Sequence, residues 1–135
     1  MLGPVATNAE VIFSGSMSSF NNANLGAVLR WTDTNNLYKA YISGSSLVIQ
    51  KKVKGSYTTL KSVSFAAATG TSYSIDFSVV GTTLSANAWK TGTSEPTGWM
   101  ATATDSSLVS GYCGLRIQVQ SGITATVTSF QALSK

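Results

Sequence analysis

The sequence predicts an all-β protein, built as an antiparallel β-sandwich or barrel. In residues 73–89, apolar side chains such as Ile75 and Phe77 alternate with serine and aspartate. This period of two is that of a strand with one packed and one hydrated face. Turn-forming residues recur at spacings of about 8–12 residues, as in sandwiches and barrels. No long segment has a helical period, and only residues 105–109 suit a short helical turn.

Ten strands are predicted, and turn formers separate them. In chain order they cover residues 9–16, 25–32, 37–43, 46–52, 56–65, 72–80, 83–89, 99–104, 113–120 and 123–133. Asparagine-rich turns at 21–24 and 33–36 separate the first three strands, and glycine lies in most of the later turns. Asn and Gly favour turns because they tolerate the backbone angles that tight turns require. The one long irregular segment is 91–98, which holds Glu95 and Pro96.

Alternation within the strands separates a core face from an outer face. The apolar set, which includes Leu29, Ile42, Leu84 and Ile117, is predicted to form the core. The opposite set is polar and aromatic. If these strands share one sheet, they present a single outer face with the candidate binding residues Arg30, Lys39, Tyr41, Asn87, Trp89, Arg116 and Gln118.

The length and composition favour one domain of an exported protein. At 135 residues the chain is expected to form a single domain, with residues 1–8 as a linker. Charged residues make up 10% of the chain, against about 25% in typical domains. Hydroxyl and amide side chains replace them, as is common in secreted β domains, although exposed strand faces are rich in Ser and Thr in any case. We expect a secreted, extracellular domain that is tethered to others in a longer chain.

The net charge of +4 does not indicate a nucleic-acid partner. Four lysines, Lys51, Lys52, Lys54 and Lys61, fall on one predicted hairpin, and the other basic residues are scattered. Nucleic-acid binders carry a denser basic stripe, and lysines on an edge hairpin protect against aggregation. No apolar run is long enough for a transmembrane helix. We therefore expect neither nucleic-acid binding nor membrane insertion.

The usual groups for catalysis are scarce. The chain has no histidine, and its single cysteine, Cys113, cannot form the common Cys–His pair and is predicted to be a buried thiol. The five carboxylates lie on different segments, and glycoside hydrolysis needs two of them about 5–9.5 Å apart. We therefore predict that the protein is not an enzyme. The alternative is a glycoside hydrolase, in which two carboxylates from different strands would converge. Glu95, before Pro96, suits a loop anchor better than a general acid.

Three stretches resemble bacterial laminin-G-like, concanavalin A-like jelly-roll domains. Residues 30–41 are similar to an R-x-x-D-x-x-N-x-Y-x-A segment of that family. Residues 81–99 resemble its G-t-t-l-x-a-x-x-W-x-x-G-x-x-E-P-x-x-W stretch, and 105–116 resemble the D-x-x-x-x-x-G-x-x-G-l-r that follows. Together with residues 127–130, these motifs are spread along the chain from residue 30 to residue 130.

The resemblance implies two curved antiparallel sheets of about six strands, one of them concave. Such domains are often appended to secreted glycoside hydrolases, adhesins and surface proteins, and many are taken to bind carbohydrate. The related enzymes carry a Glu-x-Asp-x-x-Glu strand, which this sequence lacks. Family members often hold a structural calcium ion, but Ser129 stands where an acidic residue is common. No cofactor is expected, although a structural calcium site is possible.

The chemistry of the candidate residues suits a polysaccharide or glycan. Trp89 and Tyr41 can stack on the C–H face of a sugar ring. Arg and amide side chains hold their donors in fixed planes that suit sugar hydroxyls. The alternative is that Trp89 caps the core edge and the outward cations only solvate the sheet, which would leave a structural or protein-interaction spacer. Asp33, Asn35 and Asn36 are either calcium ligands or an ordinary turn.

Overall fold

The protein is described by a computed structural model covering residues 2–20, 23–117 and 122–134. Within these residues every regular element is a β-strand. In chain order they are β1 (Leu2–Ala6), β2 (Ala9–Met17), β3 (Leu25–Asp33), β4 (Asn36–Ile42), β5 (Ser46–Val53), β6 (Ser56–Ser64), β7 (Tyr73–Val80), β8 (Thr83–Lys90), β9 (Ala101–Thr104), β10 (Gly111–Leu115) and β11 (Ala125–Ser134). The all-β prediction is confirmed. Residues 105–109, which suit a short helical turn by sequence, are irregular in the structure.

The strands form two antiparallel sheets that pack as a jelly-roll sandwich. One sheet has six strands in the order β1-β10-β3-β4-β5-β6, and the other has five in the order β11-β2-β7-β8-β9. Hairpins join β3 to β4, β4 to β5, β5 to β6 and β7 to β8, while β2, β10 and β11 pair with strands distant in sequence. The described part of the chain contains no helix that could cross a membrane.

The core lies between the sheets and follows the predicted alternation. Val11, Phe13, Ile75 and Phe77 of the five-stranded sheet are fully buried against the apolar face of the other sheet. That opposing face is formed by Leu25, Ala27, Leu29, Tyr38, Ala40, Ile42, Leu47 and Ile49. Ile117 is only half-buried, because it lies beyond the end of β10. Cys113 is buried, as predicted.

Two elements differ from the sequence prediction. Residues 2–6, predicted as a linker, form β1 at the edge of the six-stranded sheet, where Ala6 pairs with Gly111 of β10. Pro4 is compatible with this position, because an edge strand leaves some N–H groups without a partner. The predicted strand 113–120 begins earlier and ends at Leu115. Residues 118–120 of that prediction lie outside the described residues.

Candidate functional site

The predicted binding residues do not share one face. Arg30, Lys39 and Tyr41 lie on β3 and β4 in the six-stranded sheet, with Arg116 just after β10, whereas Asn87 and Trp89 lie on β8 in the other sheet. The prediction of one shared sheet surface is therefore wrong. Alternation identifies the outward side of each strand but not the sheet it joins, which long-range pairing decides. Gln118 lies outside the described residues.

Arg30 points into the end of the sandwich rather than outward. Its φ of 50° and the register shift between Leu29 and Asp33 interrupt the strict alternation of β3. The side chain is 3% exposed. Its Nε donates to the carbonyl oxygen of Thr7 at 2.9 Å, its Nη1 to that of Leu108 at 2.8 Å and its Nη2 to that of Gly81 at 2.6 Å. Arg30 thus ties three loops together.

A cavity of about 230 Å³ adjoins the Arg30 side chain. Its walls come from the β1–β2 turn, the β7–β8 turn and the segment after β9, and they include Thr82, Leu108 and Val109. The lining is mostly apolar, and three of the guanidinium donors are already bound to carbonyl oxygens. The cavity therefore offers few polar groups to a sugar.

Asn87 anchors the loop between β8 and β9. Its Nδ2 donates to Glu95 Oε2 at 3.0 Å and to the carbonyl oxygen of Gly98 at 2.9 Å, while its Oδ1 accepts from the Met100 N–H at 2.8 Å. The side chain is 2% exposed. Both N–H donors of the amide and its oxygen are therefore engaged within the protein. Glu95 is a loop anchor, as its position before Pro96 predicts.

Three carboxyl groups meet on the outer face of the five-stranded sheet. Asp76, directly opposite Asn87 in the β7–β8 pair, lies beside the carboxyl groups of Glu10 and Glu95. Asp76 is 4% exposed, and its Oδ1 has no hydrogen-bond partner among the residues that the structure describes. Burial, and then these two carboxyl neighbours, raise the pKa of Asp76 far above its usual range. Sequence spacing could not reveal this cluster, because its members come from β2, β7 and a loop.

Trp89 lies two residues from Asn87 on the same outer face, opposite Ser74. The indole is half-buried, in contrast to the fully buried Asn87. Ser74 Oγ is hydrogen-bonded to Ser14 Oγ at 2.7 Å and to Thr91 Oγ1 at 3.1 Å. The polar groups around this ring therefore bond mainly to each other.

The outer face of the six-stranded sheet brings three of the predicted residues together. Lys39 runs across Gly26, and its Nζ donates to Asn24 Oδ1 at 2.6 Å. The same ammonium lies 4.9 Å from the centroid of the Tyr41 ring. A Cβ at Gly26 would meet Lys39 Cε at 2.8 Å, so the absence of a side chain there makes room for the lysine. Arg116 is adjacent, since its N–H donates to the carbonyl oxygen of Gly26 at 3.0 Å.

A second tyrosine and lysine extend this surface. Lys52, on β5, is paired with Tyr57 on β6, and its Nζ lies 4.8 Å from the centroid of that ring. Tyr57 is 52% exposed, and it is close enough to contribute to the raised pKa of Tyr41, whose main cause is burial. Gln50, opposite Lys39, adds an amide. We call Lys39, Tyr41, Lys52, Tyr57 and Arg116 the tyrosine–lysine face. The alternation of side chains along β5 and β6 could have identified Lys52 and Tyr57 as outward-facing candidate binding residues.

The residues considered for calcium form an ordinary turn. Asp33 Oδ1 accepts hydrogen bonds from the Asn35 N–H at 2.7 Å and from Asn36 Nδ2 at 3.0 Å. The oxygen of Asn36 accepts from the Lys54 N–H at 3.0 Å. Across the described ranges, no group of three or more acidic, histidine or cysteine side chains is arranged to hold a metal ion. No calcium site is assigned.

Known proteins resemble this chain in structure but not in sequence. No protein family and no curated protein matches it by sequence. The carbohydrate-binding module CBM66 from Bacillus subtilis superposes with a TM-score of 0.80 at 14% identity, over 97% of this chain and 78% of the module. Sheep galectin-11, in complex with glycerol, gives 0.61 at 13% identity, over 95% and 91%.

Part of a larger enzyme has the same architecture. A xylan β-1,4-xylosidase from Bacillus halodurans C-125 superposes with a TM-score of 0.67 at 19% identity. The match covers 94% of this chain but 28% of the xylosidase. At such identities these likenesses concern the fold alone. The chain has a concanavalin-like β-sandwich fold, which it shares with a binding module, a galectin and one part of a glycosidase.

Proposed function

We propose that this chain is a non-catalytic carbohydrate-binding module that contacts glycans through the tyrosine–lysine face. The observation that carries the proposal is the pairing of two tyrosine rings with lysine ammonium groups, at 4.9 and 4.8 Å, on one sheet surface. Tyrosine rings can stack on the apolar side of a sugar, and the flanking amides of Asn24 and Gln50 can bind hydroxyl groups. The fold shared with the CBM66 module and the galectin supports the proposal.

The location of the protein and the presence of other domains are also proposals. We infer that the module is secreted and belongs to a longer protein with other domains, because its motifs resemble bacterial laminin-G-like domains and its surface is poor in charge. Its ligand would be an extracellular polysaccharide or glycan. The xylosidase, in which a similar sandwich occupies part of a longer chain, is an example of such an arrangement.

Binding to a polysaccharide panel tests the proposal. Wild type is expected to be retained by at least one immobilised glycan, and Tyr57→Ala and Tyr41→Ala to weaken that retention. Trp99→Ala removes a partly exposed aromatic ring from the loop over the other sheet, and is the matched control. Circular dichroism of each variant checks the fold. If Trp89→Ala abolishes binding and Tyr57→Ala does not, the site lies on the five-stranded sheet.

Two other functions remain as competing outcomes. If no glycan in a broad panel is bound, a structural or protein-interaction spacer becomes the better description. The second is glycoside hydrolysis, favoured by the convergence of Glu10 and Glu95 on Asp76. Hydrolases hold their two catalytic carboxyl groups about 5–9.5 Å apart, and Glu10 on β2 and Glu95 in the β8–β9 loop both adjoin Asp76. Release of reducing sugar by wild type and not by Glu10→Gln would establish the enzyme.

A further inference from the structure

The two outer faces of the sandwich carry opposite charge. The five-stranded sheet presents the cluster of Glu10, Asp76 and Glu95. The other two carboxylates are also engaged away from the tyrosine–lysine face: Asp33 in the β3–β4 turn, and Asp105 with Lys51. The chain has five carboxylates in total. Within the described residues, no ion pair joins a cation of the tyrosine–lysine face to any of these carboxylates.

Lys39 is the centre of this uncompensated charge. The side chain is 2% exposed, and its ammonium is held by Asn24 Oδ1 and the Tyr41 ring. Burial, followed by the charge of Arg116, lowers the pKa of Lys39 to about 8. Buried charges are normally paired, because desolvation is costly. A buried ammonium beside a guanidinium creates a positive potential that an external anion would relieve.

The accessible cations lie where such an anion could reach them. Lys52 and Arg116 are half-buried on the same side of the sheet as Tyr41 and Tyr57. The Lys52 ammonium borders the Tyr57 ring, and the charge of Arg116 acts on Lys39, which lies against Tyr41. One ligand could therefore stack its ring on a tyrosine and direct an anionic substituent to a lysine or arginine. Guanidinium and ammonium groups bind carboxylate and sulfate through charge-assisted hydrogen bonds.

We propose that the tyrosine–lysine face selects polysaccharides bearing anionic substituents, either uronic carboxylates or sulfate esters, over neutral polysaccharides. This inference rests on the proposed carbohydrate-binding function and adds the ligand class. Lys39 contributes a buried positive charge to this face, while Lys52 on β5 and Arg116 after β10 contact different anionic substituents of the polymer. A sugar ring with its anion fits the alternation of aromatic and cationic side chains better than an unsubstituted ring does.

Matched polymers test the inference with the intact chain. Dextran and dextran sulfate share a backbone and differ in charge, and polygalacturonate can be compared with its carboxyl-reduced form. Titration at low salt is expected to give affinity at least about tenfold higher for the charged member of one pair or both. The pair that responds distinguishes sulfate from carboxylate. The preference should weaken as salt is added, since the charges are partly exposed.

Variants of single basic residues show which side chains produce the preference for charged polymers. Lys52→Gln and Arg116→Gln are expected to reduce the preference severalfold. Lys61→Gln removes the same unit of charge from β6, but Lys61 is paired with the inward-facing Ile49 and so lies on the opposite side of the sheet. This control is expected to keep the preference. An equal loss in Lys61→Gln and Lys52→Gln would mean non-specific attraction, and would overturn the inference.

The failure of the inference can be told apart from the failure of the proposed function. Equal affinity for the charged and neutral members of both pairs would refute anionic selectivity while leaving carbohydrate binding intact. Binding to no polymer would remove both. If a single-stranded oligonucleotide binds as tightly as the charged polysaccharides, with the same dependence on Lys52, the face recognises polyanions in general and the inference is wrong.

Discussion

The phenolic hydroxyl of Tyr38 donates a 2.7 Å hydrogen bond to Oδ1 of Asp105. Through it, β4 of the six-stranded sheet holds the irregular segment that follows β9. Lys51 Nζ lies 2.7 Å from the other oxygen of Asp105, and the Ser107 N–H donates to Oδ1 at 2.8 Å. Burial and the bond to Asp105 raise the pKa of Tyr38 to about 12.

Asp105→Asn is expected to destabilise the protein at neutral pH by about 1–3 kcal/mol, since it weakens charge-assisted bonds to Lys51 and Tyr38. Burial acts to raise the pKa of Asp105, but the bonds from Lys51, Tyr38 and Ser107 outweigh it and hold the pKa well below its usual range. A carboxyl of this kind adds stability above its unfolded pKa, near 4, and loses it as the pH falls further.

Urea unfolding from pH 7 down to pH 3 measures this effect. The difference in unfolding free energy between wild type and Asp105→Asn should shrink below pH 4, as the wild-type carboxyl becomes protonated in the unfolded chain. A difference that stays constant across this range would contradict the assignment.

Arg30→Met and Arg116→Met should differ sharply in stability, although alternation treats the two arginines alike. Arg30→Met leaves three loop carbonyl groups without their donors, and we expect a loss of about 3 kcal/mol or more. Arg116→Met removes a half-buried side chain from the outer face, and should change the unfolding free energy by about 0.5 kcal/mol or less. Chemical denaturation of both variants at pH 7 checks this, and equal losses would show that Arg30 does not tie the loops.

Lys39→Met is expected to raise the free energy of unfolding at neutral pH, because it removes a buried ammonium group. The pKa of Lys39 is lowered to about 8 in the folded state, against about 10.4 in the unfolded chain. Between these values the unfolded state binds more protons, so wild-type stability gains from this group as the pH rises. Lys39→Met should therefore be stabilised most at or below pH 8, by roughly 1–3 kcal/mol, and lose that advantage towards pH 10.

Unfolding of wild type and Lys39→Met in parallel at pH 7, 8, 9 and 10 isolates this contribution. Other groups that titrate in this range, including Tyr38, are present in both proteins and cancel in the difference. A difference independent of pH would mean that Lys39 is not buried as described.

Asp76→Asn is expected to stabilise the protein at pH 8 by about 1–3 kcal/mol. Burial and the neighbouring Glu10 and Glu95 raise the folded-state pKa of Asp76. Stability from such a group is complete below its unfolded pKa, near 4, and is lost as the pH rises towards the folded value. The amide of Asp76→Asn does not ionise, so the variant does not lose this stability as the pH rises.

The test compares unfolding free energies at pH 5 and pH 8. The gain in Asp76→Asn should be larger at pH 8 than at pH 5. Ser78→Ala, on the same face of β7, removes no titratable group and should show the same effect at both values. A loss of stability in Asp76→Asn at pH 8 would argue against a raised pKa of Asp76 in the folded state.

The prediction from side-chain alternation holds on β4 but fails at Arg30 on the neighbouring β3. Alternation in 36–42 correctly placed Tyr38 and Ala40 inward and Lys39 and Tyr41 outward. The same rule placed Arg30 outward and failed, because the left-handed backbone at Arg30 breaks the period of two. Periodicity can be read only while the backbone stays extended.

The sequence by itself determined the fold class, the strands from β2 to β8, and the inward and outward sides of most of them. These features follow from side-chain period and turn chemistry, which are local along the chain. Only the tertiary structure decided that β8 lies in a different sheet from β3 and β4. It also brought Glu10 and Glu95 to Asp76, and Tyr57 close to Tyr41. Those contacts depend on pairing between strands distant in sequence, which is selected by the burial of the whole apolar surface at once.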